Sequence, residues 1–439
     1  MKLSAWRSIP LVYKLSILIA GIPAIQIWSP RGDLLENFSR ISPDGLDWIL
    51  QGRLLGQENL VLPVLRNSGY VLISKADWLL GGHGFVFAIS AFIGLYLQLW
   101  TLIKLLEQKG VNKTFQILSV LMFAFSYIHF VASYILPDVL AIGIMVYSLY
   151  QLAVSVNIDD KANWIRFSII LLFSCTLQFY AFLPFILAFA IFVARRNKIP
   201  TVKFKVFCLS STLILSILAT TEWRRLIRHA SVPSQFELLE LNLNMLPFYE
   251  QVWSILFIPV LVFIVLSHRK LRPTRIEFEL VDVLFLAGGT ILLFSAFVYQ
   301  WPESRISYSG FALIYMGLVP TFASRYESLQ SYRNSSTKIN IVIRVLLSFF
   351  ILTSALYGPS NPWQPKWNDL KLGYSWVIVA AGDILLKSPS PYVQVVRQLK
   401  QKCLKNEDVQ TRQAVVDTFS YSDYQRSQLY LYAEYCPKK

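Results

Sequence analysis

A chain of 439 residues that is 55% hydrophobic, 15% aromatic and only 15% charged, with a mean hydropathy of +0.48, excludes a soluble globular protein of ordinary make-up. The formal net charge of +15 does not point to nucleic acid, whose binding surfaces gather basic residues with aromatics on one folded face. Here the excess lies in short loops between apolar runs, the positive-inside pattern of a multi-pass membrane protein.

Apolar runs of about 20 residues, enough to cross a hydrocarbon core of about 30 Å as helix, predict eleven spans: 9–28, 83–106, 114–133, 138–156, 166–179, 181–195, 204–221, 251–267, 279–300, 306–324 and 339–357. The fold class is therefore all-α, a polytopic transmembrane bundle. Lys2, Arg7 and Lys14 precede an apolar run to Trp28, which reads as a retained signal anchor because Pro23 breaks its end and no small-residue cleavage site follows. The basic loops Glu107–Lys113, Arg195–Lys205, His268–Arg275 and Arg325–Lys338 all fall on the side of the N-terminus. That side is cytoplasmic by the positive-inside rule, which makes the C-terminus extracytoplasmic, as in a bacterial inner membrane. The runs 166–179 and 181–195 meet around Gln178-Phe-Tyr180. Read as one helix, they invert everything downstream; read as two, they leave Arg195, Arg196 and Lys198 inside.

The outer side then receives loop 29–82, the turn at Asp138, loop 222–250 and the tail 358–439. Residues 1–357 are expected to form a transmembrane catalytic domain and 358–439 a small extracytoplasmic one, near the lower size at which a lone core suffices. Helical patterning marks 391–405, and tyrosines recur at 421, 424, 430, 432 and 435. Cys403 and Cys436 share this tail on the side where disulfides persist, so a bond between them is expected, with two free thiols the alternative. Lys104, Asp282 and Arg344 stand near cytoplasmic span ends, where long side chains snorkel and such residues are ordinary. No internal repeat is evident, which weakens a transporter reading.

In the first outer loop, Leu46, Ile49, Leu50 and Leu54 fall at helical spacing after Pro43 and predict an amphipathic helix in the interface with its acidic start facing water. A second helical patch covers 70–80. Asp44 has two readings, an N-cap that satisfies free N–H groups of the first turn or a carboxylate with a chemical task. Asp138, after Pro137 at the start of a span, is likewise either a helix-terminal acid or a reactant. Asp44, Asp47, Asp138, Glu303 and Arg305 all belong to the outer side. Glycosyl transfer from a lipid phosphate needs a carboxylate to take the acceptor hydroxyl's proton and a cation to hold the departing phosphate. Arginine forks onto two phosphate oxygens, so Arg305 is either that cation or an interface anchor. His129, deep in the third span, is either hydrogen-bonded structure or a substrate contact.

The segments Pro43-Asp44-Gly-x-x-Trp48, Gly52-Arg53-Leu54-Leu55-Gly56 and Arg66-x-x-Gly69-Tyr70 resemble the first outer loop of GT-C-fold glycosyltransferases that use dolichyl- or polyprenyl-phosphate sugars. Tyr134-Ile-Leu-Pro-Asp138 resembles that family's second-loop acid beside a proline, and the short paired spans at 166–195 fit as well. Asn67-Ser68 stand where that family has prolines, and Trp48 where it has tyrosine. The resemblance covers roughly the first 200 residues. It implies an integral membrane enzyme, with the catalytic acid at Asp44 or Asp47, Asp138 as a second catalytic carboxylate, and Trp48, Arg66, Tyr70, His129 and Arg305 at the substrate. It implies a polyprenyl-phosphate-sugar donor, a glycan, lipid or protein acceptor on the extracytoplasmic face, and membrane lipids but no nucleic acid as partners. A divalent metal ion, Mg or Mn, serves some members and not others. A polysaccharide polymerase or ligase, favoured by Arg224, Arg225 and Arg228 in loop 222–250, and a lipid-linked-oligosaccharide flippase are the alternatives.

Overall fold

The computed structural model describes residues 9–28, 32–56, 67–154, 161–178, 210, 279–298, 304–333, 337–359, 372–387 and 389–437. The spans expected at 181–195, 204–221 and 251–267, loop 222–250, Arg66 and Glu303 lie outside them.

The chain is helical throughout the described residues apart from one two-stranded ribbon, Tyr357–Pro359 against Leu372–Tyr374. The longer helices are α1 Leu11–Ile27, α5 Phe85–Gln108, α6 Lys113–Phe125, α7 Asp138–Val154, α8 Lys161–Leu177, α9 Leu280–Val298, α10 Ser304–Arg333 and α11 Thr337–Leu356. Between α1 and α5 lie the loop helices α2 Leu34–Asn37, α3 Pro43–Leu54 and α4 Ser68–Leu79. The tail forms α12 Trp376–Leu386, α13 Val393–Leu404, α14 Val409–Asp417 and α15 Asp423–Tyr435. Among the described residues, α5 is the helix both long and apolar enough to cross a membrane, and α1, α6, α7, α8, α9, α11 and α12 contain shorter apolar stretches.

Several helices present large apolar side chains outward at helical spacing: Leu11, Leu18 and Ile25 on α1, Phe85, Ile89 and Ile93 on α5, Ile165, Ile169 and Phe173 on α8, and Val345, Phe349, Leu352 and Leu356 on α11. On α1, α5 and α8 the stripe backs onto a buried one. Water leaves no such set of exposed faces on a soluble monomer.

Glycines set the closest helix contacts. A Cβ at Gly143 on α7 would stand 2.2 Å from the Gly94 carbonyl oxygen of α5, and one at Gly288 on α9 would stand 2.5 Å from that of Gly310 on α10. Backbone therefore touches backbone in both pairs. Asp77 at the end of α4 starts α5, because its carboxylate accepts from the amides of Gly84 at 3.1 Å and Val86 at 2.9 Å. These are orphan donors of a helix amino-terminus.

Polar contacts gather the loops at one end. Tyr13 Oη donates to Glu107 at 2.9 Å, Lys109 pairs with Glu279, and the Asn112 amide donates to Glu327 at 3.0 Å. The early part of α1, loop 107–113, the start of α9 and residue 327 of α10 thus lie together. At the other end, α13 packs on α2 and α15 on α3.

Three expectations need correction. The run 114–133 is not one helix: α6 stops at Phe125, Ser126 turns extended, and Tyr127–Ser133 continues as a 3₁₀ segment. Ser126 Oγ bonds back to the Phe123 carbonyl at 2.7 Å, which stabilises the break. Pro23 lies inside α1, which runs on to Ile27. Finally, α3 does not turn a polar side to water, since nine of its twelve residues are buried beneath α4 and the tail.

Candidate functional site

Helix α3 begins where the sequence dictates. Ser42 is its N-cap, with Oγ accepting from the Gly45 amide at 3.0 Å, and Pro43 fills the first turn without wasting a donor. Asp44 therefore is not the cap. It lies in the first turn, half-buried, beside the exposed Pro43. Gly45 allows this helix end to meet the second motif, because a Cβ there would come within 3.1 Å of the Ile135 carbonyl oxygen. Gly69, early in α4, likewise presses on Thr176 near the end of α8, at 2.3 Å from an added Cβ to Oγ1.

These close approaches bring three sequence motifs together. Asp138 is fully buried and accepts from Gln178 Nε2 at 2.6 Å, so the residue that follows α8 holds the acid that starts α7. Trp48 and Tyr70 meet edge to face, centroids 5.4 Å apart, and Tyr70 leans on Phe87 at 5.5 Å. Burial, with the Asp138 and Asp77 carboxylates nearby, pushes the Tyr70 hydroxyl well above its ordinary range. Trp48 and Tyr70 are 0% and 2% exposed, which makes them the packing between α3 and α4 in this conformation.

The other expected residues lie elsewhere or are otherwise engaged. Asp47, 4% exposed, accepts from Gln51 Nε2 at 2.7 Å and from Tyr424 Oη at 2.9 Å. His129 is buried, with Nδ1 3.2 Å from Ser126 Oγ and its ring edge-on to Phe123 and Tyr308. Tyr308 in turn exchanges hydrogen bonds with Gln98. Arg305 lies in the first turn of α10. Among the described residues no three His, Cys, Asp or Glu side chains gather as a metal site. The Asp47 and Asp138 carboxylates accept hydrogen bonds from different neutral side chains.

Just before α3 the surface opens into a cleft of about 420 Å³ lined by Ser39, Arg40, Ile41, Ser42, Pro43, Tyr134 and Asp383. Arg40 is its cation, 30% exposed. Its Nε lies 3.3 Å from Asp383 Oδ2 on α12 and one terminal nitrogen donates to Tyr134 Oη at 3.1 Å. Gln26 at the end of α1 braces Asp383 at 2.8 Å. Residue pattern alone does not single out Arg40, which shares loop 29–82 with Arg31, Arg53, Arg66 and Lys75.

A second polar cluster joins α2, α3 and α13. Arg53, 2% exposed, forks onto Asp33 at 3.1 and 2.5 Å and lies over the Trp78 ring at 4.5 Å. Lys400 adds 2.7 Å to Asp33 and 2.5 Å to Glu36. Burial would raise the Asp33 carboxyl, but Arg53 and Lys400 outweigh it and hold the group at about 2. Cys403 and Cys436 are joined, Cα atoms 5.7 Å apart, as their shared place in the tail suggested.

No family model matches the chain, and no curated protein does. Among solved structures it is similar to the Archaeoglobus fulgidus oligosaccharyltransferase tethered by a disulfide to an acceptor peptide containing the NVT sequon, at 13% identity and a TM-score of 0.39. The match covers 96% of this chain and 63% of that one, so the chain spans less than two thirds of the archaeal protein's length. A likeness of that degree carries no argument by itself.

Proposed function

We propose that this chain is an integral membrane glycosyltransferase that moves a sugar from a polyprenyl-phosphate carrier to a hydroxyl of a glycan, lipid or protein on the extracytoplasmic face. The observation that carries the proposal is a half-exposed guanidinium, Arg40, in an open cleft bounded by the first turn of the helix that bears Asp44. The outward apolar stripes of α1, α5, α8 and α11 support a bilayer around it.

In this reading the acceptor oxygen forms a bond to the anomeric carbon as the bond from that carbon to the phosphate oxygen breaks. The hydroxyl proton passes to the Asp44 carboxylate, and the carrier leaves as a polyprenyl monophosphate. Arg40 holds the phosphate as its charge grows, and a guanidinium suits two phosphate oxygens at once. Asp47 is the weaker candidate for the base, because Tyr424 and Gln51 already occupy its oxygens. Asp138, Trp48 and Tyr70 support the site from beneath, and Arg66, His129 and Arg305 remain candidate substrate contacts.

The test is transfer of labelled sugar from a polyprenyl-phosphate donor by membranes carrying the protein. Asp44→Asn keeps size and helix packing but accepts no proton, so turnover should fall by about 10² to 10⁴, the usual worth of a positioned base. Arg40→Gln should weaken donor use, while Arg344→Gln, on α11, should not. Normal turnover by Asp44→Asn would remove the proposal's central residue.

A further inference from the structure

The tail grips the first loop at two places. On one side Lys400 of α13 reaches Asp33 and Glu36 at 2.7 and 2.5 Å, and Arg397 reaches Glu36 at 3.1 Å. On the other, Tyr424 in the first turn of α15 donates to Asp47 Oδ2 at 2.9 Å. The Cys403–Cys436 bond ties the end of α13, three residues after Lys400, to the residue that follows α15, so the two grips are linked covalently. Tyr392 and Gln425 add a bond of 2.8 Å between them.

The second grip falls at an instructive position. Asp47 follows Asp44 by three residues on α3, so the two lie on neighbouring parts of one helix face. A helix cannot turn about its axis at one of these residues and not at the other. Near Asp47, α3 is buried, yet its carboxylate needs hydrogen-bond donors, and one of them, Tyr424, comes from 377 residues away. Burying a carboxylate without its donors is costly, so the Tyr424 hydroxyl selects one rotation of α3 among those the apolar packing alone would tolerate.

We infer that Tyr424 is a positioning residue: by docking on Asp47, the disulfide-closed tail sets the rotation of α3 and thereby turns Asp44 toward the Arg40 cleft. The inference rests on the proposed function only for what Asp44 does, since the docking stands on its own contacts. Tyr424 acts through Asp47.

The experiment uses the full chain in lipid nanodiscs and reads hydrogen exchange alongside transfer kinetics. Tyr424→Phe keeps the ring and removes the hydroxyl. Exchange across residues 46–50 should rise by about fivefold or more, a local loosening that leaves α9 and α10 unchanged. The kcat for transfer should fall by about tenfold with the donor KM within about twofold, the split that marks lost orientation rather than lost binding. Tyr421→Phe, which removes only a bond to the Pro391 carbonyl, should leave both readings at wild-type levels. Wild-type exchange over 46–50 in Tyr424→Phe would overturn the inference. Should that variant fail to fold, Asp47→Asn probes the same contact, and unchanged exchange at both α3 and the first turn of α15 would overturn it equally. Absence of transfer by the wild-type protein would sink the glycosyltransferase reading and leave the exchange result to decide the positioning role.

Discussion

Replacing Arg53 by Met should open the first outer loop. The guanidinium is 2% exposed and Asp33 9% exposed, and the two are joined by a fork of 3.1 and 2.5 Å with the Trp78 ring 4.5 Å from the guanidinium carbon. The fall of the Asp33 carboxyl from 3.8 to about 2, at about 1.4 kcal/mol per unit, leaves about 2.5 kcal/mol of net pairing, shared between Arg53 and Lys400. Deleting Arg53 forfeits its share and leaves the buried carboxylate with Lys400 as its cation, so the loss should fall at about 3 kcal/mol, the low end of the range for a broken buried pair. At about 1.4 kcal/mol per decade, the amides of α2 and α3 should exchange about a hundredfold faster in the variant. Asp33→Asn keeps an acceptor for the Leu35 amide, which Asp33 now caps at 2.8 Å. The double variant Arg53→Met, Asp33→Asn should therefore lose less than the sum of the single losses, by about 1 to 3 kcal/mol of coupling. Additive losses, or exchange within about threefold of wild type in Arg53→Met, would refute the reasoning.

The same carboxyl sets an acid limit. Its folded value lies below its unfolded one, so its contribution is whole above about pH 4 and should drain away between about pH 4 and 2; loop exchange followed down that range checks it, and Asp33→Asn should flatten the slope. Reducing Cys403–Cys436, which closes 33 residues, should cost the tail about 3 to 4 kcal/mol on the chain-entropy account, visible as earlier proteolysis of residues 389–437. Gly143→Ala drives a methyl group against the Gly94 carbonyl and should lower the thermal midpoint in detergent, by about 1 to 3 kcal/mol or more of overpacking strain; Gly289→Ala, where an added Cβ meets nothing within 4 Å, is the matched control.

Much of the scaffold was legible because its signals are local. Pro43 and the Leu46, Ile49, Leu50, Leu54 spacing announce α3, and the Pro137-Asp138 step announces α7, each within a residue or two. The break at Ser126 was not, since Lys113 to Ser133 offers no interrupting charge and the switch depends on a serine bonding to its own turn. Helix α12 was missed because Trp376–Leu386 is a short apolar run inside a tail whose average is polar. The cleft was the hardest to see. Arg40 and Asp383 lie 343 residues apart and Asp47 and Tyr424 lie 377 apart, and no pattern within one sequence reports pairings at such range. The capping question at Asp44 turned on a neighbour, Ser42, that is equally competent to cap.

The length of α1 bears on how a lipid carrier would reach Arg40 in the proposed reaction. Helix α1 has 17 residues, about 26 Å of helix, and packs against α5, which has 24, about 36 Å; a hydrocarbon layer is about 30 Å thick. An apolar helix shorter than the layer is accommodated by local thinning of the bilayer. Gln26 at the end of α1 holds Asp383, the partner of Arg40, so thinning at that end would bring headgroups down toward the guanidinium. A phosphate on a long isoprenoid chain would then meet Arg40 while its tail stays dissolved among the acyl chains.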